Sequence, residues 1–70
     1  MALGKVKWFD EERGFGFIVP AEGGADLFAH YSEIQLDGST SLSRGQTVEF
    51  VVKHGAKGRH ATAIRPAPSS

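Results

Sequence analysis

The sequence predicts a small all-β fold in which five short strands close into one sheet. Hydrophobic residues recur with a period of two along most of the chain, and turn residues separate the segments that show this period. No segment has the 3.6-residue period of an amphipathic helix three turns long. In a single domain of 70 residues, closure into a barrel leaves no strand edge unpaired.

The predicted elements follow in order. Residues 4–10 alternate and then become aromatic, which favours a strand, and "EERG" is the turn to a second strand, "FGFIV". "PAEGGA" is a Pro- and Gly-rich loop before a third strand, "DLFAH", and "YSEI" suits a single helical turn. Residues 35–45 are a long polar connection.

The C-terminal third of the chain supplies two more strands. "QTVEFVVK" and "RHATAIR" flank "HGAKG", whose glycines favour a hairpin turn. The domain is predicted to span residues 1–66, and residues 67–70 to form a flexible tail.

Aliphatic side chains share one face of each predicted strand and are expected to fill the barrel. The core candidates are Val6, Ile18, Leu27, Ala29, Ile34, Val48, Phe50, Val52, Ala63 and Ile64, with Phe9 as a further candidate.

Phe15, Phe17, Phe28 and His30 then point outward, and Trp8 and Tyr31 join them at strand ends. In the alternative arrangement these aromatic residues form the core, but Ile18 and Leu27 would then lie on the surface. Burial of one Phe contributes roughly 1.5–3 kcal/mol, so an exposed set implies a ligand with flat faces. Nucleobases stack on aromatic rings, and neighbouring basic residues would hold the phosphates.

Charge is unevenly distributed although the formal net charge is zero. Residues 1–49 carry four basic and eight acidic residues, and residues 50–70 carry four basic residues and no acid. This pattern fits an ordinary mixed surface, or a fold that gathers Lys5, Lys7 and Arg13 beside the basic C-terminal segment.

Several classes of function are disfavoured. The absence of cysteine excludes disulfides and thiolate metal sites, and no segment suits a signal peptide or membrane span, so we expect a cytoplasmic protein. His30, His54 and His60 have no metal-ligand spacing. No nucleophile–base pair is evident, so we expect neither an enzyme nor a cofactor or small-molecule substrate.

Two stretches, "GKVKWFDEERGFGFI" and "DLFAHYSEI", resemble the bacterial cold shock protein family. The resemblance covers residues 3–66 and implies a five-stranded antiparallel OB-type β-barrel, the cold-shock domain. It further implies binding of single-stranded RNA and DNA with low sequence specificity, and an RNA chaperone role in transcription, translation and adaptation to cold. We expect a monomer.

Residue by residue, the resemblance implies a nucleic-acid-binding set: Lys7, Trp8, Asp10, Arg13, Phe15, Phe17, Asp26, Phe28, His30, Tyr31, Lys57, Arg59 and His60. Some positions depart from the family pattern. Asp10 stands where Asn is usual, Ser39 where many members have a stacking Phe, and Arg59 and His60 where Pro and Gln are usual. These departures bear on affinity and base preference.

Two other binding modules remain as alternatives. "RGFGFIVP" nearly fits the signature of the RNA-recognition motif, but that fold needs two helices that this sequence does not predict. A protein-interaction module could instead dock a peptide or a second copy on the aromatic face. Salt dependence separates the two ligand classes, because phosphate binding weakens with added salt.

Overall fold

Five strands form a closed barrel in the computed structural model, which describes residues 2–35, 42–56 and 58–67. The strands are β1 (Ala2–Asp10), β2 (Phe15–Pro20), β3 (Leu27–His30), β4 (Thr47–Gly55) and β5 (Gly58–Pro66). A 3₁₀ turn, η1 (Tyr31–Glu33), follows β3 where "YSEI" predicted a helical turn. The predicted fold class is confirmed.

The spatial order of the strands is β1-β2-β3-β5-β4, with β4 returning to β1. Four of the five strand pairs are antiparallel, and β3 and β5 close the barrel as a parallel pair. Because β3 therefore lies between β2 and β5, the N-terminal aromatic strands and the C-terminal basic strand share one continuous surface.

The core consists mainly of aliphatic residues from all five strands, as the sequence predicts. The buried hydrophobic residues are Val6, Ile18, Leu27, Ala29, Ile34, Leu42, Val48, Phe50, Ala61 and Ile64, and Phe9 and Val52 pack partly buried against them. Leu42 was not expected in the core, because it lies within the predicted polar connection, residues 35–45, and no period-two pattern marks it.

Ala63 was predicted to lie in the core, and this prediction is wrong. Between Glu49 and Val51 of β4 the pairing with β5 shifts by one residue, from Arg65 to Thr62, so β5 holds an extra residue there. Ala63 lies in this bulge with φ of 50° and is only half-buried. Ala61, two residues earlier, takes the inward position instead.

A second bulge decides the direction of Trp8. Strict alternation along β1 would point Trp8 inward, on the same face as Val6. The pairing with β2 instead shifts between Val6 and Trp8, which leaves Lys7 as the extra residue of β1. Lys7 and Trp8 are therefore both exposed, and Phe9 packs against the core.

β1 begins at the first described residue, Ala2, and β5 ends at Pro66, one residue before the last described residue. Ala67 donates its N–H to Thr47 O at 3.1 Å, and residues 68–70 of the predicted tail lie outside the described residues. No helix in the described part of the chain is long and apolar enough to cross a membrane.

Candidate nucleic-acid interface

A continuous row of aromatic rings crosses the outer surface of β1, β2 and β3. Trp8 pairs in register with Phe17, Phe17 with Phe28, and Phe15 with His30. Because these paired residues point to the same side of the sheet, their rings meet. We call the set Trp8, Phe15, Phe17, Phe28, His30 and Tyr31 the aromatic platform.

The rings of the platform contact one another from end to end. The Trp8 ring centroid lies 5.7 Å from that of Phe15 and 5.3 Å from that of Phe17. Phe28 stacks on Phe15 at 5.6 Å with an interplanar angle of 26°, and on His30 at 6.3 Å and 24°. These separations are typical of favourable aromatic pairs, so the rings hold one another in place before any ligand arrives.

The platform is half-exposed and therefore accessible to flat ligands. Trp8, Phe28 and Tyr31 are 38%, 37% and 47% exposed, whereas Phe15 and Phe17 are half-buried. The alternative in which these rings form the core does not occur, because Ile18 and Leu27 are fully buried on the opposite face.

Gly16 explains why glycine alternates with phenylalanine in "RGFGFIVP". A Cβ on Gly16 would lie 2.2 Å from Trp8 O and 2.7 Å from Phe9 Cα. Only glycine therefore permits β1 and β2 to approach this closely, and the close approach brings Trp8 against the two phenylalanines.

Gly14 supports the other end of the platform. Its φ is 76°, and a Cβ there would lie 2.6 Å from Tyr31 Cδ1. Gly14 O also accepts a hydrogen bond from Tyr31 N at 2.8 Å. The left-handed backbone and the missing side chain thus seat the Tyr31 ring beside His30, with ring centroids 4.5 Å apart.

His30 is held in one orientation by η1. Ser32 N donates to His30 Nδ1 at 3.3 Å, and Ser32 Oγ lies 2.8 Å from the same nitrogen. Since Nδ1 accepts a backbone hydrogen bond, the neutral ring carries its proton on Nε2. His30 can therefore offer a ring face for stacking and an N–H donor.

Lys7 and Asp26 form an ion pair at the loop before β3. Lys7 Nζ donates to Asp26 Oδ2 at 2.8 Å, and their side chains are 56% and 33% exposed. Both residues belong to the predicted binding set, and the structure places them in direct contact. An anion that approached Lys7 would compete with the Asp26 carboxylate for the ammonium group.

Asp10 organises the turn between β1 and β2. Its Oδ1 accepts hydrogen bonds from Glu12 N at 3.0 Å and Arg13 N at 3.2 Å. Its Oδ2 lies 3.8 Å from Arg13 Nε, and the Arg13 side chain is 73% exposed. The expected positive face is thus interrupted, because an acid accompanies both Lys7 and Arg13.

The platform continues onto β5 across the parallel pair. Phe28 pairs with His60, and an open cleft of about 690 Å³ lies between β3 and the β4–β5 hairpin. The residues that line this cleft include Asp26, Phe17, Phe28, His30, Arg59 and His60. Lys57, also predicted to bind nucleic acid, lies outside the described residues, as does Ser39.

The cleft has a lining that the sequence analysis missed. Ala25, Gly55, Ala56 and Gly58 border it, and their small size keeps it open. Glycine and alanine in a turn carry no chemical signal of their own, so only the pairing of β3 with β5 reveals that they share a site.

No group of three His, Cys, Asp or Glu residues in the described segments could hold a metal ion.

A five-stranded barrel with an exposed aromatic row and an adjoining basic strand defines a class of small OB-type binding domain. The family model "'Cold-shock' DNA-binding domain" matches residues 2–67. The chain belongs to this cold-shock domain family, a family of nucleic-acid-binding proteins, and the family resemblance seen in the sequence is confirmed.

Individual relatives cover nearly the whole chain. The chain is 56% identical over 66 residues to cold shock-like protein CspD of Escherichia coli, covering 94% of this chain and 89% of that protein. It is 55% identical over 65 residues to cold shock-like protein CspA of Bordetella pertussis, covering 93% and 97%. Among solved structures, Drosophila Unr CSD456 matches with a TM-score of 0.77 and 33% identity, covering 96% of this chain and 26% of that chain.

Proposed function

We propose that this protein binds single-stranded RNA and DNA with low sequence specificity by stacking bases on the aromatic platform. The observation that carries the proposal is the unbroken row of outward-facing rings from Trp8 to Tyr31. Other residues form the hydrophobic core, so these rings are not needed to fill it. Each stacked base contributes roughly 1–3 kcal/mol, which offsets the stability lost by leaving the rings exposed.

Low specificity follows from the chemistry of the platform. Every base has a π-face, so stacking tolerates all four, and the ring row offers few polar groups for reading base edges. Asp26, His30 and Arg59 lie beside the rings and supply those few donors and acceptors. The proposed site comprises these residues with the platform, Lys7, Asp10, Arg13, Lys57 and His60.

The proposed cellular role is that of an RNA chaperone in the cytoplasm. A base stacked on Phe28 or Trp8 cannot pair with another base, so binding opens weak RNA secondary structure without chemical change. One barrel carries the complete platform, which supports action as a monomer.

Titration of Trp8 fluorescence tests the proposal directly, since Trp8 is the single tryptophan of the chain and belongs to the platform. We expect a heptathymidine oligonucleotide to quench the emission with saturation in the micromolar range or below, and hepta-uridine to do the same. An apolar peptide docked on the same face would also quench Trp8, but its binding would hardly respond to salt. Unchanged emission with either oligonucleotide at micromolar concentrations would contradict the stacking model.

A further inference from the structure

Basic side chains on or beside the aromatic face differ in their neighbours within the described part of the chain. Lys7 Nζ lies 2.8 Å from Asp26 Oδ2, and Arg13 Nε lies 3.8 Å from Asp10 Oδ2. Within residues 2–35, 42–56 and 58–67, no carboxylate lies within ion-pair distance of Arg59 or of Lys53, which pairs in register with His60. Of these two cations only Arg59 lines the cleft, so among the described residues it is the cleft cation whose charge no acid shares.

Arg59 stands in surroundings that leave room for an anion. Its Nη1 lies 3.9 Å from the position that a Cβ on Gly24 would occupy. A Cβ on Gly23 or Gly58 would meet no atom within 4 Å, so the backbone on both sides is open. A phosphate can thus approach the guanidinium without displacing a side chain.

The position of Arg59 on β5 suits a nucleic acid that lies on the platform. Its neighbour His60 pairs in register with Phe28, and Arg59 lines the same cleft as both. A strand with a base stacked on Phe28 would carry its next phosphate past this edge of the platform.

We propose that Arg59 is the main phosphate anchor of the interface. Lys7 and Arg13 contribute less, because each must share its charge between the phosphate and a neighbouring carboxylate. A guanidinium can bind one phosphate through two parallel hydrogen bonds, a geometry that neither an amide nor a proline reproduces. This inference rests on the proposed function and deepens it, since it assigns the electrostatic part of binding to one residue.

The test is the salt dependence of oligothymidine binding, measured by Trp8 fluorescence between 50 mM and 500 mM salt. Loss of one phosphate contact on a single strand lowers the magnitude of the log–log slope by roughly 0.7. We expect this change of slope for Arg59→Gln. Over the decade from about 1 M to 0.1 M salt, a slope difference of roughly 0.7 amounts to about fivefold, so binding at 0.1 M salt should be about fivefold weaker. Arg59→Lys retains the charge and is expected to keep the slope of the wild type.

Two control variants separate this role from a general loss of charge. Arg44→Gln removes one arginine from the turn before β4, where Gly45 N bonds to Val6 O, and Arg44 does not line the cleft. The double variant Lys7→Gln/Asp26→Asn removes an ion pair without changing the net charge. Arg44→Gln is expected to leave the slope unchanged. The double variant, whose two residues belong to the proposed site, is expected to lower the slope by less than Arg59→Gln does. Thermal unfolding verifies that each variant is folded.

The possible results distinguish the two proposals. If the wild type binds but Arg59→Gln has the slope of Arg44→Gln, the anchor is elsewhere and only this inference fails. The same holds if the Lys7/Asp26 variant loses more slope than Arg59→Gln. If the wild type itself shows no binding, or binding without salt dependence, the proposed function fails first.

Discussion

Asp10 shows how one residue can serve the fold and oppose the ligand. Its carboxylate caps the β1–β2 turn through the N–H groups of Glu12 and Arg13, yet it lies beside Phe15, with which it pairs in register. Under the proposed function, its negative charge repels a phosphate that approaches this end of the platform.

Asp10→Asn separates the two effects, because the Asn Oδ1 can still accept both backbone hydrogen bonds. We expect an unchanged melting temperature and up to about fivefold tighter oligothymidine binding at low salt, equivalent to about 1 kcal/mol for a charge near the surface. Asp10→Ala removes the acceptor as well, and should lower the free energy of unfolding by about 1 kcal/mol. Equal affinities for wild type and Asp10→Asn would show that the bound strand does not reach this turn.

Phe28 tests the platform at its centre, because its ring contacts those of Phe15, Phe17 and His30. Phe28→Ala should weaken oligonucleotide binding by about 1–3 kcal/mol. It should lower the free energy of unfolding by about 1–3 kcal/mol, less than the roughly 3–5 kcal/mol of a fully buried Phe, because the ring is 37% exposed. Fluorescence titration and thermal unfolding measure the two effects.

The matched control for Phe28 is Leu3→Ala. Leu3 is 49% exposed and lies outside the platform, so its truncation should leave binding intact. Unfolding of the Phe28 variant at room temperature would mean that the ring belongs to the core rather than to a binding surface.

At the scale of the element, the β1–β2 pair depends on glycine more than on side-chain packing. The atoms that a Cβ on Gly16 would meet belong partly to the β1 backbone, which cannot rotate away. The bulge at Lys7 turns Trp8 toward the phenylalanines of β2. The close approach of β1 and β2 at Gly16 therefore also positions the rings of the platform.

Gly16→Ala should therefore destabilise the protein by at least about 1–3 kcal/mol, the usual range for overpacking, as measured by denaturant unfolding. Gly55→Ala is the matched control. The atoms nearest to its Cβ belong to the flexible His60 side chain, at 3.0 Å, so we expect a smaller loss of stability. Equal losses would show that the β1–β2 spacing is not limiting.

At the scale of the whole molecule, the barrel places rings from three strands and charge from a fourth on one face. The parallel β3–β5 pair is decisive, because it brings Arg59 and His60 next to Phe28 across about 30 residues of sequence. Under the proposed function, the formal net charge of the chain matters less than which of the described cations on that face lack an acidic neighbour.

Comparison of single and double strands tests the assembled face. In a duplex the bases are already stacked and paired, so the rings gain nothing and only phosphate contacts remain. We expect a duplex of the same sequence to compete at least about tenfold more weakly than the single strand, the equivalent of one lost stacked base. Competition against a labelled single strand provides the measurement, and equal potency would contradict the stacking mode.

Period-two alternation in the sequence was sufficient to predict the five strands, the inward direction of Ile18 and Leu27, and the outward direction of Phe15, Phe17 and Phe28. Alternation is a local property of extended backbone, so it can be read without knowing which strands are neighbours. The same reasoning failed at Ala63 and could not direct Trp8, because each depends on a bulge where the pairing shifts by one residue. The Lys7–Asp26 ion pair was also decided only by the tertiary structure, as was the absence of a carboxylate near Arg59 among the described residues. Both depend on which segments distant in sequence come together.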